Sequence, residues 1–326
     1  MSKDGDIELT RLHREAPLLD LHADSFSIRD TARSFVEERP YRHLDLPRML
    51  EAGILGEAFS IFVHPRWVPE AEWYSRAVEI LEKIHAAIEL SPKLRPATSS
   101  DDIRANAKDG AVSAIIEMEG LHPMAGRIER IEEFFSRGVR IFTLTWNNSN
   151  PWATSCDDDM AMEKGLTVAG REAVAEINRL GGLVDFSHSG EATFWETLEI
   201  LEKPPLCTHS CCRALKDSSR NLTDDQIRAI AKAGGVIGIN FFPGFLSSKK
   251  YSRVTPADVA DHIEHIFELG GESCAALGSD FDGIQCLPGM EDCRGVGKIT
   301  AELSGRGFSE GDILNVLGRN FLRIFE

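Results

Sequence analysis

Residues 17–24 read PLLDLHAD, an apolar run that closes on a histidine and an aspartate two positions apart. A short, nearly continuous apolar segment of this kind suits a strand covered on both faces, as in a parallel sheet. Seven further runs of the same type follow at 57–63 (EAFSIFV), 111–119 (AVSAIIEME), 139–146 (VRIFTLTW), 183–188 (LVDFSH), 205–210 (PLCTHS), 235–241 (GVIGINF) and 275–282 (AALGSDFD). Most of the segments between them carry helical spacing: 71–90, 128–137, 163–180, 192–201, 224–233 and 256–269, with a last one at 309–325. Gly138, Gly181-Gly182, Gly234-Gly235 and Gly270-Gly271 stand where helices give way to strands, the place for a left-handed cap. Eight alternations of strand and helix predict an α/β fold, a (β/α)8 TIM barrel. A doubly wound open sheet shares the alternation, but no Gly-rich phosphate fingerprint follows the first strand.

Length allows one barrel to occupy residues 1–326 as a single domain, since no linker rich in Pro, Gly or Ser interrupts the chain. The long connections 25–53 and 287–307 are expected to add irregular structure over the barrel mouth. With 36 Lys plus Arg against 52 Asp plus Glu the formal charge is −16, a field that repels nucleic acid and anionic lipid. The stretch MSKDGDIELTRLHREAP lacks an apolar h-region and no run approaches a membrane span, so a soluble cytoplasmic protein is expected. Seven cysteines, an odd number, are expected to be free thiols.

The chemistry lies where the strands end. His22 and Asp24 share one face of the first strand; Glu117 and Glu119 end the third, Asp185 and His188 the fifth, His209 the sixth, and Asp280 and Asp282 the eighth. In a parallel barrel all these ends open on one rim, so the side chains converge. Burying so many charges would cost several kcal/mol apiece without a cation. The residues therefore read as a two-metal site, with His22 and Asp24 on one ion, His188 and His209 on the other and Glu119 bridging. Imidazole and carboxylate donors suit zinc, with manganese, iron or cobalt as alternatives. Hydrolysis by a metal-bridging hydroxide is the natural reaction, with Asp280 moving its proton to the leaving amine.

These residues, together with Glu119-Gly120, Ser219-Arg220-Asn221, Gly278-Ser279-Asp280-Phe281-Asp282-Gly283 and the ending Leu317-Gly318-Arg319-Asn320-Phe321-Leu322, carry a resemblance. In order and spacing the chain resembles the membrane (renal-type) dipeptidase family of the amidohydrolase superfamily, along nearly its whole length. The resemblance implies a metallo-dependent hydrolase barrel with two zinc ions that cleaves dipeptides, often with a D-residue at the C-terminal position. It implies Glu119 as bridging ligand, Asp280 as proton-transfer acid and Arg220 as anchor of the substrate carboxylate; a planar guanidinium suits that last task on its own chemistry. A homodimer is a further implication.

The sequence departs from the family at two places. Trp146 stands where members most like the renal enzyme carry a histidine for the substrate carbonyl, so Asn147 or Asn148 is expected to substitute as donor, or the pocket takes other substrates. Phe242 stands where the family often has tyrosine, again lowering polarity. Another small amide, such as an N-acyl amino acid or lactam, and a catalytically idle metal-binding barrel are the alternatives. Elsewhere, Cys207, Cys211 and Cys212 read as structural thiols, and Asp157-Asp158-Asp159 as a solvated loop. His262, His265 and Glu268 read as one solvated helix face. His122 is placed either at the mouth or in loop packing, and Asn221-Leu222-Thr223 matches a glycosylation pattern.

Overall fold

The computed structural model describes residues 17–28 and 30–326; the charged N-terminal stretch, all but its last residue, and Arg29 lie outside the described residues. Eight parallel strands follow one another around a barrel: β1 (Leu18–Ala23), β2 (Ile54–Phe62), β4 (Val112–Glu119), β5 (Val139–Thr143), β6 (Leu183–Asp185), β7 (Leu206–Cys207), β8 (Val236–Ile239) and β9 (Ala275–Leu277). A ninth strand, β3 (Leu94–Pro96), pairs with the start of β4 off this path. The ring closes through a parallel bridge between Ala23 and Phe281, with Asp24 N–H donating to Phe281 C=O at 2.9 Å and Asp280 N–H to His22 C=O at 3.0 Å. The last bridge therefore ties the two strand ends that carry His22, Asp24 and Asp280 directly to each other.

Helices cover the outside. Val168–Leu180, for example, buries Ala173, Val174 and Ile177, is capped at its start by Thr167 accepting from Gly170 N–H, and stops at Gly181, whose φ of 81° suits glycine. Thr167 is the reason this helix begins at Val168 and not at Glu163. Several expected strands prove shorter at their C-terminal ends. β5 stops at Thr143, β6 at Asp185, β7 at Cys207, β8 at Ile239 and β9 at Leu277, because the residues beyond turn over the rim. His188, Asp280 and Asp282 adopt positive φ of 65–66°, which no ladder residue can hold.

The two long connections are more ordered than their sequence suggested. The first contains helices Ala32–Glu37 and Leu46–Ala52, the second contains Gly297–Gly305, and Ser100–Lys108 is a further helix that short periodicity did not reveal. The final segment is two short helices, Glu310–Leu314 and Asn320–Ile324, joined by a π-turn in which Gly318 leaves helical geometry. A Cβ at Gly318 would meet the Pro17 carbonyl oxygen, so the break lets this segment close on the foot of β1.

His262 corrects the expectation of a solvated face. It is fully buried, with Nδ1 accepting from Cys212 N–H at 3.0 Å and Nε2 donating to Leu246 C=O at 2.9 Å. His265 is half-buried on Asp224, and Glu268 is exposed. All seven cysteines are buried free thiols. Asn221 is also buried, its amide spent on Lys216 and Phe245 carbonyls, so the folded chain offers no glycosylation acceptor there.

His122 packs inside the loop after β4, its Nε2 donating to Val63 C=O at 2.7 Å and its ring edge-on to Trp73. Burial pushes its pKa down to about 4. The unfolded chain then binds a proton that the folded one refuses, so this contribution is complete above about pH 6.5 and is lost as pH falls towards 4, up to about 3 kcal/mol. Urea unfolding of wild type and His122→Gln at pH 7 and pH 4.5 should show the gap between them shifting against wild type by much of that amount. An equal gap at both pH values would show that His122 is not the responsible group.

Candidate active site

Three imidazoles meet at the rim, and each is turned by a partner on its Nδ1. His22 Nδ1 donates to Glu117 Oε2 at 2.9 Å, His188 Nδ1 to Asn147 Oδ1 at 2.7 Å, and His209 Nδ1 to Thr208 Oγ1 at 2.8 Å. In the neutral rings all three Nε2 atoms are thereby left as lone pairs aimed at one place. His188 Nε2 lies 3.0 Å from His209 Nε2 and 3.1 Å from Glu119 Oε1; His209 Nε2 lies 3.7 Å from the same oxygen. His22 Nε2 lies 3.6 Å from Glu119 Oε2 and both atoms are buried without a hydrogen-bond partner.

The ligand atoms fall into overlapping groups. His22, Asp24 and Glu119 form one and Glu119, His188 and His209 another, each with donor atoms within 4.8 Å of one another. Glu119 belongs to both. Lone pairs pressed together with orphaned carboxylate oxygen are what a divalent cation would satisfy, and nitrogen with oxygen donors fits zinc or its neighbours. A third group, His22, Glu117 and His209, includes an acid already engaged by His22, Thr143 and Thr208. Glu117 thus supports ligand atoms from behind.

Without a cation the electrostatics are unfavourable. Burial drives the Glu119 carboxyl well above its ordinary range, and Asp24 and Asp280 add to the shift. Burial opposes protonation of His22, but Glu117 and Glu119 outweigh it and hold its pKa well above 6.5. For His188 and His209 burial prevails, with Arg220 and His22 adding their repulsion, and both are held well below the ordinary value.

Asp280 stands beside this cluster, its Oδ1 4.0 Å from His22 Nε2 and its Oδ2 accepting from Asn240 Nδ2 at 2.9 Å. Burial pushes its pKa up to about 7. Asp24 is held by the Ser60 hydroxyl. A Cβ at Gly283 would lie 2.2 Å from Asp24 Oδ2 and 2.5 Å from Asp280 Oδ1, so only a glycine lets these two carboxylates come together. Asp282, by contrast, turns away to Arg39 at 2.9 Å and the His43 N–H at 2.8 Å, and anchors the loop after β1.

Arg220 is buried at the edge of the site. One guanidinium nitrogen donates to the His209 carbonyl at 3.0 Å, Phe245 lies under the guanidinium at 5.5 Å, and Nε has no partner. A nearly enclosed cation with a free N–H is ready for an anion. Trp146 and Asn147 also line the cleft, a cavity of about 1110 Å³ that takes in Glu119, His188, Arg220, Phe242 and Asp280. Asn147 has a task its sequence position did not reveal: its Oδ1 accepts from His188 Nδ1 and orients that ring, a bond that does not involve its Nδ2 donor. Sequence reading missed Glu117 as a brace, Thr208, Ser60 and Asn240, because a bonding partner inside a strand or just beyond its end has no spacing signature of its own.

Among known proteins, the model of the family described as membrane dipeptidase, peptidase family M19, matches residues 7–326. A dipeptidase from Aspergillus oryzae, aclJ, is 31% identical over 97% of this chain and 79% of its own length. Two solved structures superpose with TM-scores of 0.89, covering 95% of this chain and 98% of theirs. One is dipeptidase AC, a family M19 metallopeptidase, at 27% identity; the other is a metallopeptidase from Rhodobacter sphaeroides, at 25%, liganded with a phosphinate mimic of L-Ala-D-Ala.

Removing the Glu117 brace should weaken metal binding without disturbing the barrel. Glu117→Gln is expected to lower affinity for zinc about 10–100-fold by chelator competition, with unfolding of the metal-free protein little changed; an unaltered affinity would show that His22 needs no such support. With its rim geometry and this match along nearly its whole length, the chain belongs to the membrane dipeptidase family, peptidase family M19, and is a metallo-dipeptidase by that membership.

Proposed function

We propose that this protein hydrolyses the peptide bond of small dipeptides with two zinc ions at the rim, and that it accepts a D-residue at the C-terminal position. The observation carrying this reading is the overlap of two donor groups through Glu119, beside a buried guanidinium with an unused N–H. The D-residue is suggested by the L-Ala-D-Ala mimic held by the Rhodobacter sphaeroides relative.

His22, Asp24 and Glu119 would hold one cation, and Glu119, His188 and His209 the other. Bound there, divalent cations supply Lewis acidity, lowering the pKa of water and polarising a carbonyl. This chain's own residues do the rest. Arg220 takes the free carboxylate of the substrate and thereby measures the distance from the chain end to the scissile bond. Asp280, held at one oxygen by Asn240, offers the other to the attacking water, accepts its proton and returns it to the departing amine. Trp146 leaves the carbonyl side of the cleft with an indole N–H in place of an imidazole.

Turnover of L,L and L,D dipeptides by zinc-loaded protein, beside N-acyl amino acids and a lactam, tests the reading. Cleavage of dipeptides alone supports it, and cleavage of none of them by a dizinc preparation overturns it. Asp280→Asn should retain both metals and lose most of kcat, about a hundredfold or more; unchanged turnover would remove its assigned task. Arg220→Met should raise KM about tenfold or more for free dipeptides and spare their C-terminal amides, and an equal effect on both would count against carboxylate binding.

A further inference from the structure

One wall of the cleft is built of rings. Phe62 ends β2, His64 and Trp67 follow it, and Trp146 follows β5. Trp146 lies 6.1 Å from the His188 ring, 5.0 Å from Phe62 and 5.2 Å from His64. His64 and Trp67 stack at 3.9 Å with planes only 6° apart. The four rings thus run as one continuous surface from the ligand cluster to the outer edge of the cavity.

Hydrogen bonds tie down the loop that carries this surface. Trp67 and Val68 N–H groups both turn back onto the His64 carbonyl at 3.1 Å, and Trp73 Nε1 pins the Val68 carbonyl at 2.9 Å. Burial lowers the His64 pKa, which leaves a neutral ring in the stack. Trp67 is nevertheless 82% exposed, with one face covered by His64 and the other bare. A large ring held flat at a cavity edge with an open face is costly to hydrate and is a natural landing place for another flat apolar group.

Topology says which end of a substrate meets it. Arg220 follows β7, four strands round the ring from β2, whose end carries Phe62, His64 and Trp67, with the metal-ligand cluster between; Trp146, after β5, stands on the arc that joins them. A dipeptide with its carboxylate on Arg220 must cross the cluster and present its amino-side residue to the rings. The cavity, about 1110 Å³, lies at the upper end of what drug-sized ligands fill, more than two small residues need. Charge does not redirect the choice to a basic side chain, because Arg42 and Arg76 line the same region as Glu72 and Glu79, and Arg76 is paired with Glu79 at 2.7 Å.

We infer that Trp146, Phe62, His64 and Trp67 form a specificity surface that selects dipeptides with an aromatic N-terminal side chain. The inference rests on the dipeptidase reading and adds the class of substrate to it. Zinc-loaded protein should show kcat/KM for Phe-Gly and Trp-Gly about tenfold or more above Ala-Gly, with Lys-Gly close to Ala-Gly. Trp67→Ala should reduce the Phe-Gly to Ala-Gly ratio severalfold and Trp67→Phe should restore most of it; Trp67 is exposed, so neither change threatens the fold. A ratio near one in wild type, a Lys-Gly rate matching Phe-Gly, or a ratio untouched by Trp67→Ala overturns the inference while leaving the dipeptidase reading in place. If no dipeptide is cleaved, that reading fails first. Calorimetric titration of the same protein with Phe-Gly and Ala-Gly then decides the inference: about tenfold tighter binding of Phe-Gly, lost in Trp67→Ala, sustains it, and equal affinities overturn it.

Discussion

Five ionisable side chains are packed at the rim with their donor atoms turned inward and little solvent to screen them, and most of the surrounding structure answers to that constraint. Charges confined in this way are tolerated only with a counter-charge or with their protons retained. Among the described residues no lysine or arginine lies at the centre of the cluster. The protein supplies three Nδ1 acceptors, Glu117, Asn147 and Thr208, which fix the tautomers so that the free lone pairs coincide. Thr208 in turn donates towards the carboxylates of Asp185 and Glu117, so the supports are joined into one network beneath the rim.

The barrel makes this arrangement inexpensive to specify. Each strand delivers its last residues to the same edge, so residues nearly 260 positions apart, such as His22 and Asp280, become neighbours through two backbone hydrogen bonds. The left-handed conformations of His188 and Asp280 lie at the points where the His188 ring and the Asp280 carboxylate bend over the opening. Such backbone costs of order 1 kcal/mol or more and persists where packing on all sides over-determines it. Gly283 completes the arrangement by leaving room for Asp24 and Asp280 to approach each other.

Around this centre the cleft has two unlike sides. Towards Arg220 it is charged and enclosed, suited to a carboxylate. Towards Trp146 and Trp67 it is aromatic and partly open, suited to bulk. The indole at position 146 fits the second side, since it offers surface continuous with Phe62 and His64.

Most of this was legible along the chain because periodicity and strand-end composition are local properties. The alternation of apolar runs with helical segments determined the barrel, and a polar residue where each apolar run stops determined His22, Asp24, Glu119, His188, His209 and Asp280 as candidates. Short helices such as Leu46–Ala52 carry too few turns to show a period, and His262 has neighbours on its helix that look solvated until the loop after β7 covers it. Only the folded molecule decided which nitrogen of each imidazole faces inward, that Asn147 serves His188, and that rings from β2 and β5 join into one wall. Those facts depend on contacts between segments 40 to 260 residues apart, whose distances follow from ring closure and side-chain packing and leave no trace in the spacing of residues along the chain.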